Sequence, residues 1–418
     1  MVDDGGVSDI VERQIPAAAV ALFAGAPGFD DYDWADPWPT YDRMRAEAPV
    51  WRNADGIYVL TRHADCEAVL RDARFSSNAD HLDPPVTFPQ GDPRADIGET
   101  RARALLFLDP PDHTRLRRLV SKAFTPRTVE RLRPRVQQLV DQILDRAADA
   151  GGFDVVNDLG YELPVVVICE LLGVPLADRA QFGDWSHDAA RLLDADLEPD
   201  VLQRGLAAAL NFAVYFQELF VVRRAQPGDD LVSGLLAAEE AGDRLSEDEL
   251  LSMVILLFIA GHETTMNLIG NGTFALLGQA DQLARWRADP SLDASGVEEL
   301  LRFDGPVHLV GRIPTEDVEV GGHRFRRGVE VIPLVAAANR DPERFTDPAR
   351  LDVGRVDDPH LTFSQGIHYC LGAALARLEG QVAIGTLVHR FPRLELAAVP
   401  RHRGHFVLRG LEELRVSV

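Results

Sequence analysis

Near the C-terminal end of the chain, residues 363–377 read Phe363-Ser364-Gln365-Gly366-Ile367-His368-Tyr369-Cys370-Leu371-Gly372-Ala373-Ala374-Leu375-Ala376-Arg377. A glycine-containing loop leads to Cys370, and helix-forming residues follow it directly. At a helix start, free backbone N–H groups and the helix dipole favour a thiolate over a thiol. A thiolate can ligate iron, and as an axial ligand of haem it favours O–O cleavage. Most lone cysteines are small buried hydrophobic residues, so Cys370 alone leaves both interpretations open.

A second feature is a long apolar segment in the middle of the chain. Ser246 and Glu249 have the spacing of a capping box, which predicts that a helix begins there. Helical periodicity continues to about Leu277, and the eleven residues 250–260 are apolar on every side. A membrane span needs about 20 such residues, so we expect a helix buried inside a globular protein. Because buried polar groups are costly unless paired, a polar cluster at its centre indicates a site: Gly261-His262-Glu263-Thr264-Thr265.

The rest of the chain has a coarse secondary-structure pattern. Residues 1–30 are expected to form a loosely ordered arm, and residues 77–104 predict a long loop. Residues 111–280 are nearly all helical in pattern, with breaks at 151–152, 173–175 and 226–228. Further helices are predicted at 39–48, 64–71 and 371–390, and strands at 50–52, 57–60, 317–333 and in the C-terminal tail.

Composition argues against several classes of protein. The chain has 418 residues and a net charge of −23, which disfavours binding to nucleic acid or to an anionic membrane. Its three cysteines, Cys66, Cys169 and Cys370, do not form a disulfide framework, which is typical of a reducing cytoplasm. The first residues lack the basic region of a secretion signal, and the apolar stretch 17–24 is too short to span a bilayer. We expect a soluble, cytoplasmic protein.

The stretch 363–377 resembles the haem-binding signature of the cytochrome P450 family, Phe-Gly-x-Gly-x-His-x-Cys-x-Gly. The positions that match in spacing are Phe363, Gly366, His368, Cys370 and Gly372. Ser364 stands where the family has glycine, which reduces the freedom of the loop but replaces no ligand. The resemblance implies that Cys370 is the axial ligand of the haem iron.

The central polar cluster is similar to the family's oxygen-activation motif, small-Gly-x-acid-Thr-Thr. A bond from Thr264 back to the carbonyl of Ala260 would bend the helix and leave space for O₂. Glu263 could then relay protons from solvent. Taken alone, Thr264 could equally be a core threonine at a helix kink, and whether His262 faces the pocket or solvent stays open.

Two further sets of residues match the family in the same order. Glu299 and Arg302, three residues apart on one helix face, would pair and hold Arg355, which implies a scaffold for the haem loop. Buried haem propionates need cationic or hydrogen-bonding partners. Each candidate alone could be an ordinary surface charge, but the set in register with the family is His113, Arg117, Arg312 and His368.

The resemblance runs from about Asp36 to the C-terminus. It implies a mainly α fold with a small β-rich lobe, in which a long central helix crosses over the haem and the cysteine loop lies beneath it. Residues 31–418 would form a single haem-binding domain, with Ala260 beside the haem. The implied activity is haem-thiolate monooxygenation with haem b and O₂. Electrons would come from NAD(P)H through a ferredoxin reductase and a ferredoxin, and the protein is expected to be a monomer.

The substrate is less constrained by the sequence. By resemblance, the pocket is lined by residues 77–104, 183–215, Ala260, 307–310 and 405–406, which are mostly apolar. A lipophilic macrolide, terpenoid, steroid or fatty acid would fit, for hydroxylation or epoxidation. Alternatives are a haem-thiolate peroxygenase, an oxidative-coupling enzyme or a non-catalytic haem sensor. A basic patch at Arg115, Arg118 and Lys122 is our candidate dock for the ferredoxin, although a solvated helix face explains it equally well.

Overall fold

The structure is a computed structural model, and it describes residues 17–87, 92, 103–194, 198–238, 245–356 and 359–418. Within these ranges most residues are helical. The α-helices are Ala17–Phe23, Trp38–Glu47, His63–Arg71, Asp112–Ser121, Pro126–Glu130, Arg133–Ala150, Glu162–Leu172, Phe182–Arg191, Pro199–Ala225, Leu231–Ala237, Glu247–Leu277, Ala280–Ala288, Asp293–Asp304, Val335–Ala338 and Ala373–Arg390. The predicted mainly α fold with a small β-rich part is confirmed.

The strands are short and form several small sheets. Val50–Arg52 pairs antiparallel with Tyr58–Leu60, which pairs parallel with Val331–Pro333. Gly152–Asp154, Arg415–Ser417 and Glu395–Leu396 form a second three-stranded sheet. The remaining pairs are Phe75–Ser76 with Ile313–Pro314, Val318–Val320 with His323–Phe325, and Arg401–His402 with Leu411–Glu413.

Glu247–Leu277, called the central helix below, organises the molecule. The capping box forms as predicted, since the Ser246 side chain accepts from the Glu249 backbone while the Glu249 side chain accepts from the Ser246 backbone. The largest hydrophobic cluster packs this helix against Arg133–Ala150, Glu162–Leu172 and Pro199–Ala225. Its polar centre therefore lies deep in the protein, where unpaired polar groups are costly.

Two helices of the described part are long and apolar enough to pass a length-and-composition test for a membrane span. In the central helix, 67% of the most apolar window is buried inside the protein, as expected of a core helix. In the helix Pro199–Ala225, 33% of its own most apolar window is buried inside the protein.

The structure also refines the sequence prediction. Residues 17–30 do not form a loose arm, because Ala17–Phe23 is helical and Phe23 is buried with its ring 5.5 Å from that of Phe406. Residues 1–16 lie outside the described residues, as does most of 88–102 within the predicted loop. The break at 151–152 holds an unpredicted strand, Gly152–Asp154, followed by a π-helical turn.

Candidate active site

The backbone of the loop before Cys370 turns tightly and has left-handed φ angles at two residues. The Cys370 backbone N–H donates to the carbonyl oxygen of Phe363 at 2.8 Å, which closes the loop. Gly366 has φ +69°, and a Cβ there would lie 2.6 Å from the carbonyl oxygen of Leu70, so only glycine fits. Ser364 also has a left-handed φ, of 59°. The family's glycine is thus replaced at a position where a side chain costs backbone strain.

Cys370 precedes the helix Ala373–Arg390, whose N-cap is Gly372. Burial raises the pKa of the Cys370 thiol, although the residue keeps accessible surface. The backbone N–H groups of Gly372 and Ala373 and the charge of Arg117 act in the opposite direction, as the helix-start position predicts, but do not outweigh burial. Bonding to iron deprotonates a thiol outright, so this thiol fits a metal ligand.

A polar network ties the cysteine loop to the helix Asp293–Asp304. Arg377 donates to both oxygens of Glu298, at 2.6 and 2.9 Å, and to the Tyr369 hydroxyl at 3.0 Å. Its guanidinium also lies 4.5 Å from the centre of the Phe363 ring. Arg377 and Glu298 are 79 positions apart, so no local sequence pattern indicates this network.

The predicted scaffold triad forms. Arg302 donates to both Glu299 oxygens, at 2.7 and 2.8 Å, and Arg355 donates to Oε2 of Glu299 at 3.0 Å. The three side chains are 8% exposed or less. Because a paired buried charge is costly to expose, this triad holds the irregular segment ahead of the cysteine loop in place.

The four predicted propionate ligands come together beside the cysteine loop. The rings of His113 and His368 lie 4.4 Å apart, and Arg117 donates to the Tyr369 carbonyl oxygen at 2.6 Å. Burial, with Arg312 as the next cause, lowers the pKa of His368 to about 3. Burial also lowers the pKa of Arg312 to about 10.

This cluster fits an anionic group. Both ring nitrogens of His113 and Nε2 of His368 are buried without a hydrogen-bond partner among the described residues. Among the bonds that the structure describes, the Arg312 guanidinium donates only to the carbonyl oxygen of its neighbour Gly311, at 2.7 Å. Orphaned buried donors of this kind need acceptors, and two haem carboxylates would supply them.

The centre of the central helix carries the predicted threonine bond. The Thr264 hydroxyl donates to the Ala260 carbonyl oxygen at 2.8 Å. Ala260 is exposed and Thr264 half-exposed, although Glu263 and Thr265 beside them are buried. One face of the helix therefore borders open space at the position where haem and O₂ are expected.

Glu263 is buried on a different face, where it pairs with Arg403. Nη1 of Arg403 lies 3.3 Å from Oε2 of Glu263. Burial alone would raise the pKa of Glu263, but His262, Arg403 and His187 together lower it to about 2. His262 itself is wholly buried and reaches neither solvent nor the face of Ala260 that is open.

The comparisons with known proteins agree with this geometry. The family model described as Cytochrome P450 matches residues 290–401. Cytochrome P450 107B1 of Saccharopolyspora erythraea is 43% identical over 93% of this chain and 96% of its own. The chain belongs to the cytochrome P450 family. It is a mainly helical haem-thiolate monooxygenase, with haem b as cofactor, that inserts one atom of O₂ into a lipophilic small molecule.

Two further relatives are similarly close. The vitamin D(3) 25-hydroxylase of Pseudonocardia autotrophica is 43% identical over 92% of this chain and 94% of its own. Among solved structures, P450BioI in complex with an acyl carrier protein ligated to hexadec-9Z-enoic acid matches with TM-score 0.86 and 38% identity. It covers 92% of this P450 chain and 98% of its own.

Some residues at the site were missed by sequence reasoning. Arg403 lies 140 positions from Glu263, and no local pattern connects the two. Glu379 on the helix after Cys370 is buried, and neither carboxyl oxygen has a hydrogen bond of ordinary geometry among the described residues; the nearby Thr265 hydroxyl lowers its pKa, but burial outweighs this effect. The sequence could have indicated Glu379, because it is a lone acidic residue on an otherwise apolar helix face.

Proposed function

We propose that this P450 hydroxylates or epoxidises a lipophilic secondary metabolite, terpenoid, steroid or fatty acid. The observation that carries the proposal is the open face of Ala260 and Thr264 in the middle of an otherwise buried helix. The printed names of relatives support the substrate class, since they refer to vitamin D3 and to a fatty acyl group.

The site residues divide into three groups by role. Cys370 ligates the haem iron, and the propionates are held by His113, Arg117, Arg312 and His368. The haem pocket is formed by Ala260, Phe363, Gly366 and Gly372. The buried orphan donors near Cys370 support this assignment. Haem, when bound, supplies the iron at which O₂ is reduced and cleaved.

Glu263 and Thr264 supply protons to that chemistry. The overall reaction consumes O₂, two electrons and two protons and yields oxygenated substrate and water. The Thr264 hydroxyl donates its hydrogen bond to the Ala260 carbonyl oxygen. Its lone pairs can therefore accept a hydrogen bond on the open side of the helix. Glu263, on the buried side, is the acid through which solvent protons reach this hydroxyl.

The pocket walls differ in part from the sequence expectation. Phe406 packs into a hydrophobic cluster with Phe23 and Leu309. His405 lines a polar cavity of about 330 Å³ with His187 and Arg403. The apolar wall of the pocket is therefore assigned to Ala260 and the half-buried Val307 and Val310, whereas residues 88–91 and 93–102 of the predicted wall lie outside the described residues.

A ferredoxin is the proposed electron donor. The helix Asp112–Ser121 lies beside the cysteine loop through the Arg117–Tyr369 bond, and Arg118 on it and Lys122 directly after it are exposed. Arg115 is half-buried and paired with Glu249, so it contributes less to such a surface than the sequence suggested. We further propose that residues 31–418, together with the helix Ala17–Phe23 that packs on them, form one domain, and that the protein is a cytoplasmic monomer.

The experiment is turnover under ¹⁸O₂ with NAD(P)H, a surrogate ferredoxin and its reductase. The substrate panel contains a macrolactone, a steroid, a terpenoid and a fatty acid. We expect one ¹⁸O atom in the product of at least one of these classes, and none with the Cys370→Ala variant. Product formed only with added peroxide would favour a peroxygenase, and no product with either oxidant would contradict the proposed activity.

A further inference from the structure

The imidazole of His262 lies against the carboxylate of Glu263 inside the protein. The His262 side chain is 0% exposed and that of Glu263 3%. Nδ1 of His262 lies 2.9 Å from the carbonyl oxygen of Phe258, and Nε2 lies 3.6 Å from Oε1 of Glu263. The rings of Phe258 and Tyr161 pack around the imidazole, with centroids at 5.4 and 6.2 Å.

The hydrogen bond to Phe258 determines which nitrogen carries a proton. A carbonyl oxygen can only accept, so Nδ1 is protonated and donates. Nε2 is buried without a hydrogen-bond partner among the described residues, and it faces Glu263. If the imidazole were neutral and the carboxylate ionised, a lone pair would face a negative charge in a buried site, which is unfavourable. One more proton between the two atoms removes this repulsion.

We propose that His262 and Glu263 form a buried pair that holds one proton at pH 7, on Nε2 or on the Glu263 carboxyl, and that His262 is the positioning residue that returns a proton to Glu263 during turnover. This inference rests on the proposed role of Glu263 as the proton-carrying acid, and it deepens that role. In the transfer, the N–H bond at Nε2 breaks and its electron pair stays on nitrogen, while an O–H bond forms at Oε1.

The other side of Glu263 connects the pair to solvent. Oε2 of Glu263 is held by Arg403, and Arg403 lines the cavity of about 330 Å³. The rings of His187 and His405, which also line this cavity, lie 5.1 Å apart. A proton given up by the pair is therefore replaced from this cavity. Among the described residues, the charged and titratable groups around the pair are Tyr161, Arg403, His187 and His405, and Arg191 and Glu412 line the same cavity.

The test uses the holoenzyme in two measurements. ¹⁵N-histidine NMR of the reduced, carbon monoxide-bound enzyme reads protonation of the His262 nitrogens, and infrared difference spectra against Glu263→Gln read the carboxyl. His262→Asn assigns the histidine signals and keeps an amide donor for the Phe258 carbonyl, but it cannot carry the shared proton. The exposed His323→Asn is the matched control.

We expect a proton on Nε2 or on the Glu263 carboxyl at pH 7. In turnover, His262→Asn should lower product per NAD(P)H by roughly three- to tenfold and raise the solvent isotope effect, with substrate KM unchanged. A bare Nε2 beside an ionised carboxylate would overturn the inference, and that measurement needs only wild type and Glu263→Gln if His262→Asn fails to fold.

The variants separate two kinds of failure. If Glu263→Gln impairs coupling while His262→Asn matches wild type, the inference fails and the role of Glu263 stands. If Glu263→Gln changes neither coupling nor the isotope effect, the proposed role of Glu263 fails as well.

Discussion

The Thr264 hydroxyl lies 2.8 Å from the carbonyl oxygen of Ala260, one turn earlier in the central helix. This bond gives the Ala260 carbonyl oxygen a side-chain donor within the helix and fixes the rotamer of Thr264. The hydroxyl is thereby held at the open face of the helix without a proton of its own to donate there. Its proposed role is to accept a hydrogen bond on the open face, while Glu263 is the group that carries protons in from solvent.

The first prediction concerns Thr264→Ala. We expect haem content and substrate binding to be unchanged, and product per NAD(P)H to fall on the order of tenfold or more, because positioned proton transfer contributes about 10²–10⁴ in rate. Hydrogen peroxide release measured beside NAD(P)H consumption reports the diverted electrons. Thr265→Ala is the matched control, because Thr265 is buried and bonds to Gly261 at 3.3 Å instead. Unchanged coupling in Thr264→Ala would contradict the assigned role.

The second prediction concerns the iron ligand. A thiolate trans to carbon monoxide shifts the Soret band of reduced haem strongly to the red. We expect this band in the wild-type protein and its loss in Cys370→Ala. Cys66→Ala is the control, since Cys66 is buried and donates to the Leu60 carbonyl at 3.3 Å. A globin-like band in the wild type would show that Cys370 does not ligate the iron.

Local signals explain why most of the framework could be predicted from sequence. The capping box at Ser246 and the glycine after Ala150 act within one or two turns, and the helices begin and end there in the structure. The Thr264–Ala260 bond is likewise a relation of four residues along one helix. Pairings between distant segments have no such signal. Two ion pairs depend on how distant segments pack in the folded protein. The pair of Glu263 with Arg403 joins the central helix to the segment after the strand Arg401–His402, and the pair of Arg115 with Glu249 joins two helices.

A third prediction follows from Glu379. Burial raises its pKa to about 8, against an ordinary value of 4.5. Below pH 4.5 the carboxyl is protonated in both the folded and the unfolded protein, so it does not lower the stability of the fold. Between pH 4.5 and about 8 the unfolded protein loses this proton while the folded protein keeps it, and stability therefore falls as pH rises. At pH 7, Glu379→Gln should therefore be more stable than wild type by up to roughly 3 kcal/mol, from about 1.4 kcal/mol per pH unit.

Thermal unfolding of both holoenzymes between pH 4.5 and pH 8 measures this difference. The gap should widen with pH and level off near pH 8. The exposed Glu395→Gln provides the control and should show no such trend. A constant gap across the range would mean that Glu379 finds a partner in the folded protein.

The fourth prediction concerns backbone strain at Ser364. Its φ of 59° is left-handed, and its hydroxyl is buried without a partner among the described residues. Glycine adopts this φ freely, so Ser364→Gly should raise the free energy of unfolding by about 1 kcal/mol. Ser364→Ala removes the hydroxyl but keeps the strain, and should gain less. Equal gains from both variants would assign the effect to the hydroxyl instead.

The last prediction tests the electron-donor surface. Arg118 and Lys122 are exposed beside the cysteine loop, whereas Arg115 is held by Glu249. Since charge complementarity mainly governs encounter, Arg118→Glu with Lys122→Glu should raise the ferredoxin KM about tenfold at low ionic strength, with a smaller effect on kcat. The difference should shrink in salt, because the Debye length falls to about 8 Å at 0.15 M. Arg204→Glu with Arg224→Glu, both exposed on the helix Pro199–Ala225, makes the same change in net charge and should leave KM near wild type. Adding Arg115→Glu should weaken binding little further, because that side chain is half-buried. Equal ferredoxin KM in the double variant and the control would remove this helix from the docking surface.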